Sequence, residues 1–173
     1  MKTVLTIAGT DPTGGAGAQA DLKTFMAHKV YGMSIMTSLV AQNTLGVKDI
    51  MDVTPYFLEE QFQCVFEDIY PDAVKIGMVS QPELIHKIVE QLKKYHAKNI
   101  VVDPVMVSTS GSRLLADSGL EALKSELIPL SCIITPNIPE TEVLVNHTIQ
   151  SKEDMIQAAK EIQQWYQGAI LIK

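Results

Sequence analysis

Short apolar runs alternate along the chain with longer stretches in which apolar residues recur every three or four positions. The runs, rich in Val and Ile, fall at 3–8, 30–40, 73–77, 99–103, 131–135 and 169–173. They are apolar on both faces, the pattern of strands buried inside a parallel sheet. The periodic stretches at about 15–28, 55–69, 81–95, 116–128 and 152–167 predict the helices between them. Several carry start signals. Thr54-Pro55 places a capping hydroxyl before a proline suited to the first helical turn, and Ser80-x-x-Glu83 and Ser151-x-x-Asp154 read as capping boxes. Strands that alternate with helices predict an α/β fold with three layers, α/β/α, around a mostly parallel sheet, in a single domain over 1–173.

One segment breaks the rhythm. Residues 39–54, LVAQNTLGVKDIMDVT, hold two strand-like pieces around Leu45-Gly46 with no room for a helix, which predicts a hairpin or flap. In open α/β sheets the ligand crevice lies at the carboxyl ends of the strands, so the loops that follow them are where chemistry is expected.

The first such loop is GTDPTGGAGAQADLKT, residues 9–24. Strand, glycine loop and helix in that order can present backbone amides to an anion. A Walker loop is excluded, because Gly17 leads to Ala18-Gln19 rather than Lys-Ser/Thr. A nicotinamide-type dinucleotide site would need an acid at the end of the second strand, where Val40-Ala41-Gln42 stands. Asp11 and Asp21 add negative charge that disfavours a bare polyphosphate, so a neutral substrate bearing hydroxyl or amino groups fits better. Tight turning and helix packing account for the glycines but leave the two aspartates unexplained.

Gln42 offers a donor and an acceptor side by side, the match for a ring nitrogen next to an exocyclic amine, although such a residue is more often a surface or turn residue. Met78, after the strand-ending Gly77, suits either a flat ring or the core. Asp103 ends the run Ile100-Val101-Val102; it reads as a turn former or, with Glu140 of Thr135-Pro136-Asn137-Ile138-Pro139-Glu140, as a holder of hydrated Mg²⁺.

Composition narrows the partners. The 173 residues carry 14 basic and 20 acidic side chains, net charge −6, with no basic cluster dense enough for nucleic acid or an anionic membrane. A small molecule or protein is expected instead. No signal peptide or membrane span is visible at the N-terminus, so the cytoplasm is the expected location. Cys64 and Cys132 lack metal-ligand spacing and are expected to be small buried hydrophobes.

Taken in order, AGTDPTGGAGAQADLKT, VAQNT, KIGM, VVDPVMV and ITPNIPE closely resemble the bacterial hydroxymethylpyrimidine/phosphomethylpyrimidine kinases of thiamine biosynthesis, members of the ribokinase-like superfamily. Each motif is weak alone; five in register over the whole chain are specific. The resemblance implies transfer of the γ-phosphate of MgATP to 4-amino-5-hydroxymethyl-2-methylpyrimidine and then to its monophosphate, with ATP and Mg²⁺ as cofactors and a homodimer as the assembly. It implies that Gln42 reads the aminopyrimidine edge, with Gly9, Asp21, Met78 and Val105 around the substrate. Asp103 and Glu140 fall to the magnesium, and Asn137 and Lys173 to the ATP phosphates. Pyridoxal is the alternative substrate, and an inactive pyrimidine-binding remnant the alternative role. The family also continues beyond this length, to a Gly-x-Gly-Cys segment whose amides stabilise the transferring phosphoryl group. The expectation is therefore a ribokinase-like fold incomplete at the C-terminus, no catalytic residue within these positions, and no activity from the 173 residues alone.

Overall fold

A computed structural model of the chain describes residues 1–106 and 117–173, with only the backbone at Asp117. The elements run β1 (Thr3–Ala8), α1 (Gly17–Ala27), β2 (Tyr31–Met36), β3 (Ser38–Asn43), β4 (Gly46–Asp52), α2 (Pro55–Phe66), β5 (Ala73–Ile76), α3 (Pro82–Lys94) and β6 (Ile100–Val102). They continue with α4 (Asp117–Ala122), a wider helical turn (Leu123–Leu127), a tight one (Ile128–Leu130), β7 (Ile133–Ile134), α5 (Ile138–Val145), α6 (Lys152–Ile162) and β8 (Ala169–Ile170).

Six strands form one sheet in the order β2-β1-β5-β6-β7-β8, with every pair parallel. Parallel pairing without exposed faces demands apolar residues on both sides, and Leu5, Ile7, Ile35, Ile76, Val102 and Ile134 are all fully buried. On α3, Leu84, Ile85, Ile88, Val89 and Leu92 make the buried stripe of an amphipathic helix. On α2 the stripe is Leu58, Phe62 and Phe66, and the Phe66 ring stacks on Tyr95 at 4.9 Å. β1, α1 and β2 progress towards one edge of the sheet, while β5, α3, β6, α4 and β7 progress towards the other. Right-handed crossovers then place α1 on the face opposite α3 and α4, giving three layers. The direction reverses at β1, and the crevice outside the carboxyl ends of β1 and β5 is where such sheets bind ligands.

Three expected helix starts can be compared with their caps. Thr54 accepts from the Phe57 amide at 3.1 Å ahead of Pro55, and Ser151 and Asp154 form the anticipated capping box. Ser80 does not cap α3: the helix starts at Pro82, one residue later than that pairing requires, and the Ser80 hydroxyl donates instead to Asp52 at 2.5 Å. The helix expected at 116–128 begins outside the described residues at 116 and is not uniform, since α4 gives way at Leu123 to the wider turn and then to one containing Pro129.

The apolar run at 30–40 is not one strand. The chain leaves the main sheet after the buried Thr37, whose amide makes the last rung to β1 at Ala8 O (3.1 Å) and whose hydroxyl donates to Met78 O (2.8 Å). Beyond it, β3 pairs antiparallel with β4 as a separate hairpin. The cysteines are also not buried. Cys64 lies off the apolar stripe of α2 and Cys132 precedes β7, and both are exposed. The run at 169–173, expected to be buried, lies at the edge of the described sheet with Leu171 58% exposed. Among the described residues no helix is long and apolar enough to cross a membrane.

Candidate active site

An open cavity of about 580 Å³ lies at the carboxyl ends of the strands, between the loops after β1, β5, β6, β7 and β8 and the β3–β4 hairpin. All nine residues expected at a site from the sequence line it: Gly9, Asp21, Gln42, Met78, Asp103, Val105, Asn137, Glu140 and Lys173.

The glycine loop enters this cavity already holding an anion of its own. The Asp11 carboxylate, 3% exposed, accepts from the amides of Thr13 (2.9 Å), Gly15 (3.0 Å) and Ala16 (2.8 Å) and from the Thr13 hydroxyl. Burial pushes its pKa up, but the Thr13 amide and hydroxyl, the Ala16 amide and the Gln42 side chain outweigh that and hold it at about 2. Amides that would otherwise face a phosphate are thereby occupied, which accounts for the aspartate that turn geometry alone left unexplained. The backbone needs a glycine at Gly17, where φ is +57° and a Cβ would come within 2.5 Å of Gly9 O.

Asp21, on α1, accepts from the Thr6 hydroxyl (2.6 Å) and from Lys75 Nζ (2.8 Å). This half-buried ion pair forms one wall of the cavity, and Lys75 is a site residue that sequence reasoning passed over. Its only signal was a lysine facing out of an apolar strand, without any hint of the partner 54 residues away. Gly9 leaves room for the Met78 methyl, which a Cβ there would meet at 2.9 Å. Gln42 follows directly on a register shift between Ala41 and Gln42, and such a bulge re-aims the side chain of its strand. Val105 is placed by a three-residue turn in which its amide donates to Asp103 O at 2.8 Å across Pro104.

At the other end of the cavity Asp103 Oδ1 accepts from Thr135 Oγ1 (3.0 Å) and Lys173 Nζ (2.8 Å). Asn137 and Glu140 form the capping box of α5: Asn137 Oδ1 accepts from the Glu140 amide and Glu140 Oε2 from the Asn137 amide, both at 2.8 Å. Each therefore keeps only part of its polar group for a ligand. Burial pushes the Glu140 pKa up and the neighbouring Asp103 adds to this, against the opposing pull of the Asn137 amide and Lys173. Two carboxylates that repel one another at a cavity wall fit a hard divalent cation. Among the described residues no group of three or more His, Cys, Asp or Glu stands together, so a Mg²⁺ here would keep most of its water and lean on substrate phosphates.

A family model described as phosphomethylpyrimidine kinase matches residues 11–173. The hydroxymethylpyrimidine/phosphomethylpyrimidine kinase of Escherichia coli strain K12 is 42% identical over 176 residues, covering 100% of this chain and 66% of that protein. The enzyme of the same name from Bacillus subtilis strain 168 is 44% identical over 169 residues, covering 98% and 62%. The chain thus spans less than two thirds of the length of these curated relatives. Among solved structures, phosphomethylpyrimidine kinase from Clostridium difficile 630 superimposes with a TM-score of 0.91 at 52% identity, covering 100% of this chain and 75% of that one. Pyridoxal kinase from Staphylococcus aureus in complex with pyridoxal gives 0.87 at 36%, covering 100% and 64%.

Proposed function

Since this chain belongs to the phosphomethylpyrimidine kinase family, we propose that it forms the acceptor-binding and cation-binding parts of a kinase that uses MgATP to phosphorylate 4-amino-5-hydroxymethyl-2-methylpyrimidine and then its monophosphate. The observation that carries the reading is the division of one cavity into two ends of different chemistry. At one end Gly9, Gln42, Met78 and Val105 give the cavity uncharged lining residues beside the Asp21–Lys75 pair, and the glycine loop is filled by its own carboxylate. At the other, Asp103 and Glu140 would hold Mg²⁺, with Asn137 and Lys173 beside the ATP phosphates. The cation would neutralise charge on those phosphates. Lys173 balances Asp103, and α5 turns its N-terminus, with its partial positive charge, to the same end.

The test is kinetic. In the intact protein Gln42→Ala should raise KM for the pyrimidine more than KM for ATP, because it removes a contact with the substrate edge alone. Equal effects on both would overturn the assignment. For a polypeptide of these 173 residues by themselves we expect no turnover. Among the described residues the glycine-rich loop at a helix start is the one Asp11 fills, which leaves no set of amides for the transferring phosphoryl group. Normal ADP release from a polypeptide of verified mass would refute this.

Pyridoxal is the second reading, kept because pyridoxal kinase superimposes on the whole chain; a kcat/KM higher for pyridoxal than for the pyrimidine would select it. The proposed protein partner is a second copy of the chain. Leu39 and Met51, cross-strand neighbours on the hairpin, and Tyr56 and Phe57 at the start of α2 are exposed apolar residues that such contact would cover. Sedimentation of the intact protein as a monomer would refute it. The proposed location is the cytoplasm, where MgATP is at hand.

A further inference from the structure

At its base the hairpin that carries Gln42 meets the β5–α3 loop around one carboxylate. Asp52, the last residue of β4, accepts on Oδ1 from Ser38 Oγ at 2.7 Å and Ser80 Oγ at 2.5 Å, and on Oδ2 from Gln81 Nε2 at 3.0 Å. Those donors lie on two segments. Ser38, fully buried, starts β3, whereas Ser80 and Gln81 belong to the loop between β5 and α3. Met78 lies two residues before Ser80 in that loop, and its carbonyl accepts from Thr37 Oγ1. Backbone bonds from Thr10 to Ser38 (3.0 Å) and from Val53 to Thr37 (3.0 Å) complete the joint, and the Val40 amide donates to Thr10 Oγ1 at 2.9 Å.

We propose that Asp52 is a positioning residue for the acceptor: its carboxylate joins the base of the hairpin to the β5–α3 loop, and so fixes Gln42 relative to Met78 at the cavity. The reach of the hairpin makes this joint sensitive. Four residue steps of strand lead from Ser38 to Gln42, a lever of about 13 Å, so a pivot of about 5° at the base moves the Gln42 end by roughly 1 Å. Misplacement on that scale lowers the efficiency of a bound reaction by up to about a hundredfold. Without the carboxylate, two serine hydroxyls and an amide lose their shared acceptor, and the base of the hairpin is no longer tied to Ser80 and Gln81 of the β5–α3 loop, leaving its bonds to Thr10 and Asp11 on the other side.

The inference rests on reading the Gln42 end of the cavity as the acceptor site, so the experiment separates the two. In the intact protein Asp52→Ala should raise KM for the aminopyrimidine about tenfold while KM for ATP stays within about twofold. Asp52→Asn keeps one oxygen for the two serine hydroxyls and should recover most of the loss, and Ser80→Ala, a milder change should Asp52→Ala fold poorly, should move KM in the same direction by less. Hydrogen exchange of the amides from Leu39 to Met51 should quicken in Asp52→Ala and return to normal in Asp52→Asn. An unchanged pyrimidine KM in Asp52→Ala, an equal rise in both KM values, or no recovery with Asn overturns the proposal. Gln42→Ala is measured alongside. If it leaves the pyrimidine KM unchanged, the acceptor-site reading fails, and exchange alone then judges Asp52: faster exchange in Asp52→Ala upholds the joint, and unchanged exchange overturns it.

Discussion

Replacing Asp11 by Asn tests whether the glycine loop is held by its own carboxylate. An asparagine can still present one oxygen to the Thr13 amide and hydroxyl. Its NH₂ group, however, would face the Gly15 and Ala16 amides, which now donate to Oδ2 at 3.0 and 2.8 Å. Two magnitudes bear on the cost. A carboxyl held at about 2 against an ordinary 3.8 corresponds to about 2 kcal/mol of differential stabilisation. Leaving two backbone amides opposed by a donor costs about 1–3 kcal/mol each before relaxation. A destabilisation of about 2–4 kcal/mol at neutral pH is therefore expected, and urea unfolding of both proteins measures it. The sign with pH is fixed as well. Because the folded pKa is depressed, the contribution of Asp11 is fully present above the ordinary value near 4 and is lost as pH falls through about 2. A ¹³C titration of the Asp11 carboxyl in the folded protein should thus find it still ionised at pH 3. A loss below about 0.5 kcal/mol in urea, or a carboxyl that titrates at its ordinary value, would refute the reasoning.

Other substitutions probe separate parts of the structure. Gly17→Ala forces a side chain into φ +57° against Gly9 O and should cost at least about 1–2 kcal/mol, read as a lowered midpoint in urea. Ser151→Ala removes one half of the α6 capping box and should cost about 1 kcal/mol without touching ligand binding. Glu140→Gln keeps an oxygen for the Asn137 amide but removes the buried charge. The pKa of Glu140 is raised, so its ionised form lowers stability at neutral pH, and that penalty fades as pH falls through the raised value towards the ordinary one. The variant should therefore melt no lower than wild type in a thermal scan while losing MgATP-dependent turnover in the intact protein. Lys75→Met leaves Asp21 with only the Thr6 hydroxyl and should weaken binding of the pyrimidine, measured by calorimetry, more than that of ATP.

The alternation of strands and helices could be read from the sequence because a parallel sheet covered on both sides leaves its strands apolar throughout. The break at Thr37 could not, since β2 and β3 are both apolar enough to look continuous and the separation lies in a change of partner, from β1 up to Thr37 to β4 from Ser38 onward. Ser80 failed as a cap for a similar reason. Its spacing to Glu83 was right, but Pro82 moved the helix start and Asp52 claimed the hydroxyl. At the site, Gln42 and Asp103 stood out by their chemistry near strand ends and Glu140 by its place at a helix start, whereas Lys75 and Asp52 depend on partners far away in the chain that no local pattern discloses. Asp11 lay between these cases. It was conspicuous in the sequence, yet only the geometry shows that it completes the loop rather than repelling something from it.

A glycine loop ordered by an incoming phosphate must settle into shape as it binds, and the ligand supplies the free energy for that ordering. The loop at residues 9–17 has no such step, because Asp11 holds it in its working form before any ligand arrives. The entropy of ordering is met during folding rather than at each encounter. On the kinase reading proposed above, an acceptor would meet a preformed end of the cavity whether or not ATP is present, and any order in the binding of the two substrates would come from the cation end.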